Sequence, residues 1–345
     1  MLTPAIWFPT VKTNSGTDSF TEQLVEGLNN HNIRAEIAWL PHHTEYLPWL
    51  VAKPKQPKWA NIIHTNTWLH SKFQPKGSPI VTTLHHCVQD QAFSSYKSLF
   101  QKIYHHLWIT QLEKQSIKNA SCITTVSQYT SNRAREIFGV TDIKVIYNGI
   151  NQEIFQTNNQ KIREFKNPKF KLLFVGNSSI RKGFDLLPMI MDELGEQYEL
   201  FYTATPPKNL TIPKNMKQLP YQKTVFDLAQ TYNSMDALIF PSRLEGFGLV
   251  VAEAMACGLP VIATNSSALP ELIEHKRNGL LCDQDNILSF VNAVKFMKDH
   301  PHQAKIYSEQ SILKVKKLFT VEKMIQSYIT LYEEVLVKYQ TVSKN

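Results

Sequence analysis

The chain has 345 residues, of which 43% are apolar and 19% charged, and it carries a net charge of +8. That length suits two domains, and the composition excludes a disordered chain or a fibre. The excess is spread evenly, +4 on residues 1–160 (14 Lys and Arg against 10 Asp and Glu) and +4 on the remainder (23 against 19), which favours anionic partners without building a basic arm.

Cys87, Cys122, Cys257 and Cys282 are scattered without CxxC or zinc-like spacing, which points to reduced thiols. Ala5-Ile-Trp-Phe8 is too short for a signal peptide, and no apolar run approaches the roughly 20 residues of a membrane span. The expected location is cytoplasmic, with peripheral attachment to the inner membrane face as an addition.

In chain order, strand-like runs alternate with helical ones, the pattern of α/β domains with parallel sheets. Residues 5–8, 35–39, 61–64, 80–84, 122–126 and 144–146 read as strands. Helices fit 19–29, about 94–120, and 128–138. A polar stretch at 152–168 reads as a linker. Residues 171–175 then restart the pattern as a strand, followed by a helix over 184–195. Residues 237–240 and 261–264 read as buried strands flanking a helix at 249–256, which Gly258 and Pro260 stop. The tail 321–339 is a long helix with Ile325, Tyr328, Ile329, Tyr332 and Val335 on one stripe.

Three loop-to-helix junctions carry chemistry. In "RLEGFGLVVAEAMACGLPVIAT" (243–264), two carboxylates, Glu245 and Glu253, bracket the helix start. Free backbone N–H groups there attract anions, and Gly246 and Gly248 allow close approach. Buried carboxylates need hydrogen-bond donors, which sugar or ribose hydroxyls supply; an arginine or backbone N–H satisfying each glutamate is the alternative. "FVGNSSIRKGF" (174–184) puts Arg181 and Lys182 after a strand end, which suits a diphosphate or an ordinary solvated charge pair. "TNSGTDSF" (13–20) bends at Gly16, a phosphate loop or simply a turn.

Other features are weaker. His85 ends a strand, at the edge where α/β sheets place their sites. No HExxH or related spacing occurs among the histidines, so no metal is assigned to them. Asp283-x-Asp285 has the form of a cation-binding acid pair, yet reads equally as a loop opening a helix at Asn286 with Asp285 as N-cap. Two aromatic and basic stretches, 39–59 and 93–118, suit either an acidic membrane surface or core packing with solvated charges.

Together these segments resemble the family 4 glycosyltransferases. Glu245 and Glu253 match the family's E-x7-E motif; "VGNSSIRKG" (175–183), "VIYNGI" (145–150), "ASCITTVSQYTSN" (120–132) and "LPELI" to "RNGLL" (269–281) match further segments. The resemblance spans nearly the whole chain. It implies an α/β chain of two Rossmann-like doubly wound domains facing a cleft, the GT-B fold. An acceptor-binding domain would cover 1–155 and a nucleotide-sugar domain 168–318, with helix 319–345 crossing back to the first.

The resemblance also implies roles. Glu253 would accept from ribose hydroxyls and Glu245 from the transferred sugar. Amides around Gly246, Phe247, Gly248, Leu249 and Val250 would face the sugar and diphosphate, beside Gly176, Asn177 and Gly16. Lys182 would neutralise the leaving diphosphate, and His85 would sit by the sugar. Asn177 stands where most relatives have arginine, and Arg181 is expected to supply that charge. The implied reaction is retaining, needs no cofactor and no essential metal, and uses a nucleotide sugar, UDP ahead of GDP. Its acceptor would be a glycan or lipid-linked glycan of the cell envelope, or a soluble molecule, with an anionic membrane surface as a further partner. No nucleic-acid module is recognisable, so nucleic acid is not an expected partner.

Overall fold

A computed structural model describes residues 3–13, 15–90, 94, 96–157 and 169–342. The expected linker at 152–168 therefore lies largely outside the described residues, as does Asn14 of the first glycine loop. The chain divides into two compact units, residues 1–149 with 321–345, and residues 150–320.

Unit 1 is built on six parallel strands: β1 (Ile6–Val11), β2 (Ala35–Leu40), β3 (Ile62–Asn66), β4 (Ile80–Leu84), β5 (Cys122–Thr125) and β6 (Ile143–Val145), in the order β2-β1-β3-β4-β5-β6. Its helices are α1 (Gly16–Asn30), α2 (Leu99–Tyr104), α3 (Thr110–Asn119) and α4 (Gln128–Phe138). The C-terminal helix Val321–Val342 also belongs to this unit. Its expected stripe is buried: Ile325, Tyr328, Tyr332 and Val335 join Ile6, Phe8, Leu24 and Leu28 in one core. Inside that core, His64 pairs Nδ1 with the Tyr332 hydroxyl at 2.5 Å and Nε2 with Thr83 Oγ1 at 2.7 Å.

The segment expected as one helix over 94–120 is instead interrupted. Ser98 and Gln101 form a reciprocal capping box that starts α2 only at Leu99. A π-turn at His105–Ile109 then separates α2 from α3, and Thr110 Oγ1 donates to the His105 carbonyl at 2.7 Å within it. Core packing does not account for its apolar face: Leu99, Phe100 and Leu107 are 71%, 85% and 65% exposed, while Ile109 is buried.

Unit 2 also has six parallel strands: β7 (Phe170–Phe174), β8 (Tyr198–Tyr202), β9 (Met216–Gln218), β10 (Ala237–Phe240), β11 (Val261–Thr264) and β12 (Leu280–Cys282). Their order is β12-β11-β10-β7-β8-β9, so strand order reverses between β7 and β10. The helices are α5 (Leu187–Leu194), α6 (Val225–Ser234), α7 (Leu249–Ala256), α8 (Leu269–Leu272), α9 (Ile287–Asp299) and α10 (Pro301–Leu318). Alternate residues of β7, Phe170, Leu172 and Phe174, share a core with Ile190 and Met191 of α5 and Phe290 and Val294 of α9. No described helix is long and apolar enough to cross a membrane.

Candidate functional site

In open parallel sheets, the loops leaving the strands that flank an order reversal splay apart and leave a crevice. In unit 2 those are the loop after β7, carrying Gly176 to Gly183, and the loop after β10, carrying Pro241 to Gly248. Both segments singled out by their charge therefore sit at one end of one sheet.

Gly183 holds the first loop against the second. It lies at φ 71°, and an added Cβ would stand 2.1 Å from the Pro241 carbonyl oxygen. Arg243, buried at 3% exposure, ties the loops further. It donates to Asp185 twice at 2.8 Å, to Asp285 at 2.7 Å and to the Ile180 carbonyl. Burial pulls this guanidinium down, but Asp185 and Asp285 outweigh it and hold its pKa above the ordinary value.

This frame brings Arg181, Lys182 and Glu245 together. Lys182 Nζ stands 2.7 Å from Glu245 Oε1, and Arg181 Nη1 3.4 Å from the same oxygen. Ser242 Oγ donates to it at 2.5 Å. Burial raises the Glu245 carboxyl, but Lys182 and Arg181 more than offset this and leave it below the usual carboxylate range. Burial also lowers Lys182, only partly restored by Glu245. One acid faces two cations, the nearer across a 2.7 Å contact, which hold the Glu245 carboxyl low, whereas the single acid only partly offsets the burial of Lys182. Lys182 also lies 5.0 Å from the Phe240 ring centroid. The alternative of an arginine against Glu245 is thus partly realised, by Arg181 acting with Lys182.

The second loop ends in α7. Gly248 adopts φ 100°, and no side chain caps the helix. The N–H groups of Val251 and Ala252 both return to the Gly248 carbonyl. The amides of Leu249 and Val250 precede any intrahelical partner, and both residues are half-exposed. Phe247 is buried edge-on to Phe319 at 5.5 Å, and Gly246 is half-buried. Glu253, one turn into α7, accepts from the Tyr232 hydroxyl at 2.8 Å. Burial raises its pKa to about 7 although Tyr232 and Lys182 pull it down.

Asn177 turns back on its own loop, Oδ1 accepting from Ser179 N at 3.2 Å and Ser179 Oγ at 2.6 Å. Gly176 donates its N–H to Thr203 Oγ1 at 3.1 Å. Asp285 is not the N-cap of α9. Asn286 caps it by accepting from Ser289 N at 3.0 Å, while Asp285, at φ 60°, is the acid that binds Arg243.

Gly16 and His85 belong to unit 1. Gly16 opens α1, whose N-terminus is capped by Ser15 and approached by Asp18, which accepts from Thr13 N at 2.9 Å. His85 stands edge-on to Phe20 at 4.9 Å, and burial lowers its pKa to about 4. Three residues escaped the sequence reading: Ser242, Arg243 and Tyr232. Arg243 is visible only as a lone cation inside an apolar run; Tyr232 leaves no mark, because its acid is 21 residues away.

The profile of glycosyl transferases group 1 matches residues 155–313, and that of glycosyltransferase family 4 matches residues 11–154. An uncharacterized glycosyltransferase of Methanocaldococcus jannaschii is 30% identical over 64% of this chain and 62% of its own length. The N-acetyl-alpha-D-glucosaminyl L-malate synthase of Bacillus anthracis is 26% identical over 66% of this chain and 63% of its own. The chain thus matches somewhat under two thirds of the length of these curated relatives. Anabaena HepE, solved in complex with UDP and glucose, shares the fold with a TM-score of 0.72 at 17% identity, covering 96% of this chain and 99% of that one. With two parallel six-stranded sheets and profiles that together run from residue 11 to 313, the chain belongs to the family 4 glycosyltransferases of the GT-B fold.

Proposed function

We propose that this chain is a retaining glycosyltransferase that takes a hexose from a nucleotide-sugar donor, with UDP preferred to GDP. The observation that carries the reading is the Lys182–Glu245 pair at 2.7 Å beside the uncapped start of α7, with Glu253 one turn on. The diphosphate lies against the amides of Leu249 and Val250, with Lys182 and Arg181 as its cations. Glu253 accepts from the ribose hydroxyls, and Glu245 from the hydroxyls of the sugar. Arg181 supplies the charge that Asn177 lacks.

In the transfer, the bond from the anomeric carbon to the phosphate oxygen breaks, and the acceptor oxygen bonds to that carbon on the same face. The acceptor proton passes to the departing phosphate. Preorganised donors aimed at the developing negative charge lower the barrier by a few kcal/mol each, so the two cations and the helix amides serve in place of a metal.

The acceptor is a glycan, carried on a lipid in the membrane reading. The exposed Phe100, Leu99 and Leu107, with Trp49 and Leu50 also exposed, favour attachment to an anionic membrane surface. The malate synthase relative favours the soluble-acceptor reading. Incubation with UDP- and GDP-hexoses tests the proposal. Release of nucleoside diphosphate, and a product with the donor's anomeric configuration by NMR, are expected. An inverted product, or no release from any donor, contradicts it. Sedimentation with anionic vesicles tests the membrane arm; no co-sedimentation rejects it.

A further inference from the structure

A third loop of unit 2 reaches the Glu245 segment: the one leaving β11, which runs beside β10 in the sheet. It carries Ser266 and Ser267 just before α8. Both hydroxyls bond the backbone of the loop after β10. Ser266 Oγ donates to the Arg243 carbonyl at 2.9 Å, and Ser267 Oγ accepts from the Glu245 N–H at 2.9 Å. Arg181 Nη1 fills the gap between them by donating to the Leu244 carbonyl at 2.8 Å. Three consecutive residues of an irregular segment are thus each held by a side chain from another loop.

Ser267 makes its bond from an unfavourable conformation. Its φ of 52° lies in the left-handed region, where a Cβ crowds the backbone and glycine is at ease. If only the shape of the turn mattered, glycine would serve better. What serine adds is an acceptor for an amide 22 residues away. Glu245 is buried, and a buried N–H needs such a partner. Strain of this kind persists where surrounding contacts over-determine it, and it gathers at working sites.

The effect of the bond falls on the acid. With Arg243, Leu244 and Glu245 pinned at the backbone, the Glu245 side chain leaves from a fixed point, and Oε1 stands 2.7 Å from Lys182 Nζ. Without the pin the segment is free to rotate, and the carboxylate no longer has one address.

We propose that Ser267 is a positioning residue for Glu245: its hydroxyl fixes the Glu245 backbone so that the carboxylate stays on Lys182 and meets the transferred sugar. The strained turn is retained for that bond. The sugar in this statement rests on the transferase reading; the fixing of the backbone does not.

Ser267→Gly relaxes the turn and removes the acceptor, which separates the role from folding. Relief of strain offsets the lost bond, so the melting temperature is expected to stay within about 3 °C of wild type. Ser267→Ala keeps the strain and loses the bond, and is expected to melt lower than Ser267→Gly. In donor-free protein, hydrogen exchange at the Glu245 amide, followed by NMR, is expected to quicken about fivefold in both variants. Across a panel of UDP- and GDP-hexoses, the tightest binder of the wild type is expected to lose about fivefold in affinity for Ser267→Gly, whereas UDP or GDP alone keeps its affinity within about twofold. Ser267→Asn, which tolerates the left-handed region and offers a side-chain oxygen, is expected to recover part of both losses. Unchanged exchange at Glu245 in Ser267→Gly and Ser267→Ala, or full nucleotide-sugar affinity in Ser267→Gly, overturns the proposal. A wild type that binds no nucleotide sugar sinks the transferase reading, while the exchange measurement still decides on Ser267.

Discussion

Tyr232 donates its phenolic hydrogen to Glu253 at 2.8 Å, across two helices of the same unit. The bond matters because Glu253 is otherwise desolvated and titrates at about 7, inside the working range of most proteins. In the proposed donor complex the ionised carboxylate would accept from ribose hydroxyls; protonated, it would lose much of that capacity. Donor affinity is therefore expected to rise as pH increases through about 7. Tyr232→Phe removes a bond that favours the ionised form, worth about 1–2 kcal/mol, so the midpoint moves up by roughly one unit. Calorimetric titration of donor from pH 6 to 9 reads both midpoints; a flat profile in the wild type contradicts the assignment.

Arg243 is the mechanical link between the two loops of unit 2. Arg243→Leu leaves Asp185 and Asp285 without their guanidinium. Breaking a fully buried pair costs about 3–5 kcal/mol; both aspartates are partly solvated, so about 2–3 kcal/mol is expected. Urea unfolding measures it. Donor affinity is expected to fall as well, because the Lys182 turn loses its anchor at the Ile180 carbonyl. A variant as stable as the wild type contradicts the linking role.

Lys182→Ala separates chemistry from fold. Loss of one donor to a leaving group costs about 10²–10³ in turnover. Glu245 retains Arg181 and Ser242, so the melting temperature is expected to change far less than in Arg243→Leu. Steady-state kinetics and a melting curve on the same preparation decide it, and a kcat within threefold of wild type contradicts the role.

Much of this site was legible in one dimension. The apolar run 249–256 ending in Gly258 and Pro260 defines α7 to the residue, and the strands at 80–84, 237–240 and 261–264 also match. Local rules suffice there because capping residues and apolar runs act over a few positions. They failed where long-range partners decide. Nothing near Asp285 announces that Arg243, 42 residues earlier, claims its carboxylate and leaves the cap to Asn286. The apolar face of 94–120 carries core-like spacing, yet Leu99, Phe100, Ile103 and Leu107 in its first half remain exposed, while Tyr104 meets Tyr46. β9, three residues long with Lys217 and Gln218 exposed, has no alternation from which to be read.

Acid should weaken unit 1 through His64. Burial lowers its pKa to about 3, against about 6.5 for the unfolded chain. The folded state keeps it neutral, so between those values the unfolded state binds the extra proton and gains. Its contribution is therefore intact above about pH 6.5 and is lost as pH falls, by about 1.4 kcal/mol per unit. Between pH 6.5 and 5 this is about 2 kcal/mol. His64→Gln, less stable at neutral pH, is expected to lose about that much less on acidification in urea titrations. Equal acid sensitivity contradicts the argument.

In the proposed complex a nucleotide sugar is held by the loops after β7 and β10 and by Glu253. A thermal-shift panel of nucleotide sugars tests it most directly, because a ligand that binds only the folded state raises the melting temperature. At least one is expected to stabilise the wild type, with the shift abolished in Glu253→Ala and reduced in Arg181→Ala. No shift with any nucleotide sugar, or a full shift surviving in Glu253→Ala, contradicts the account.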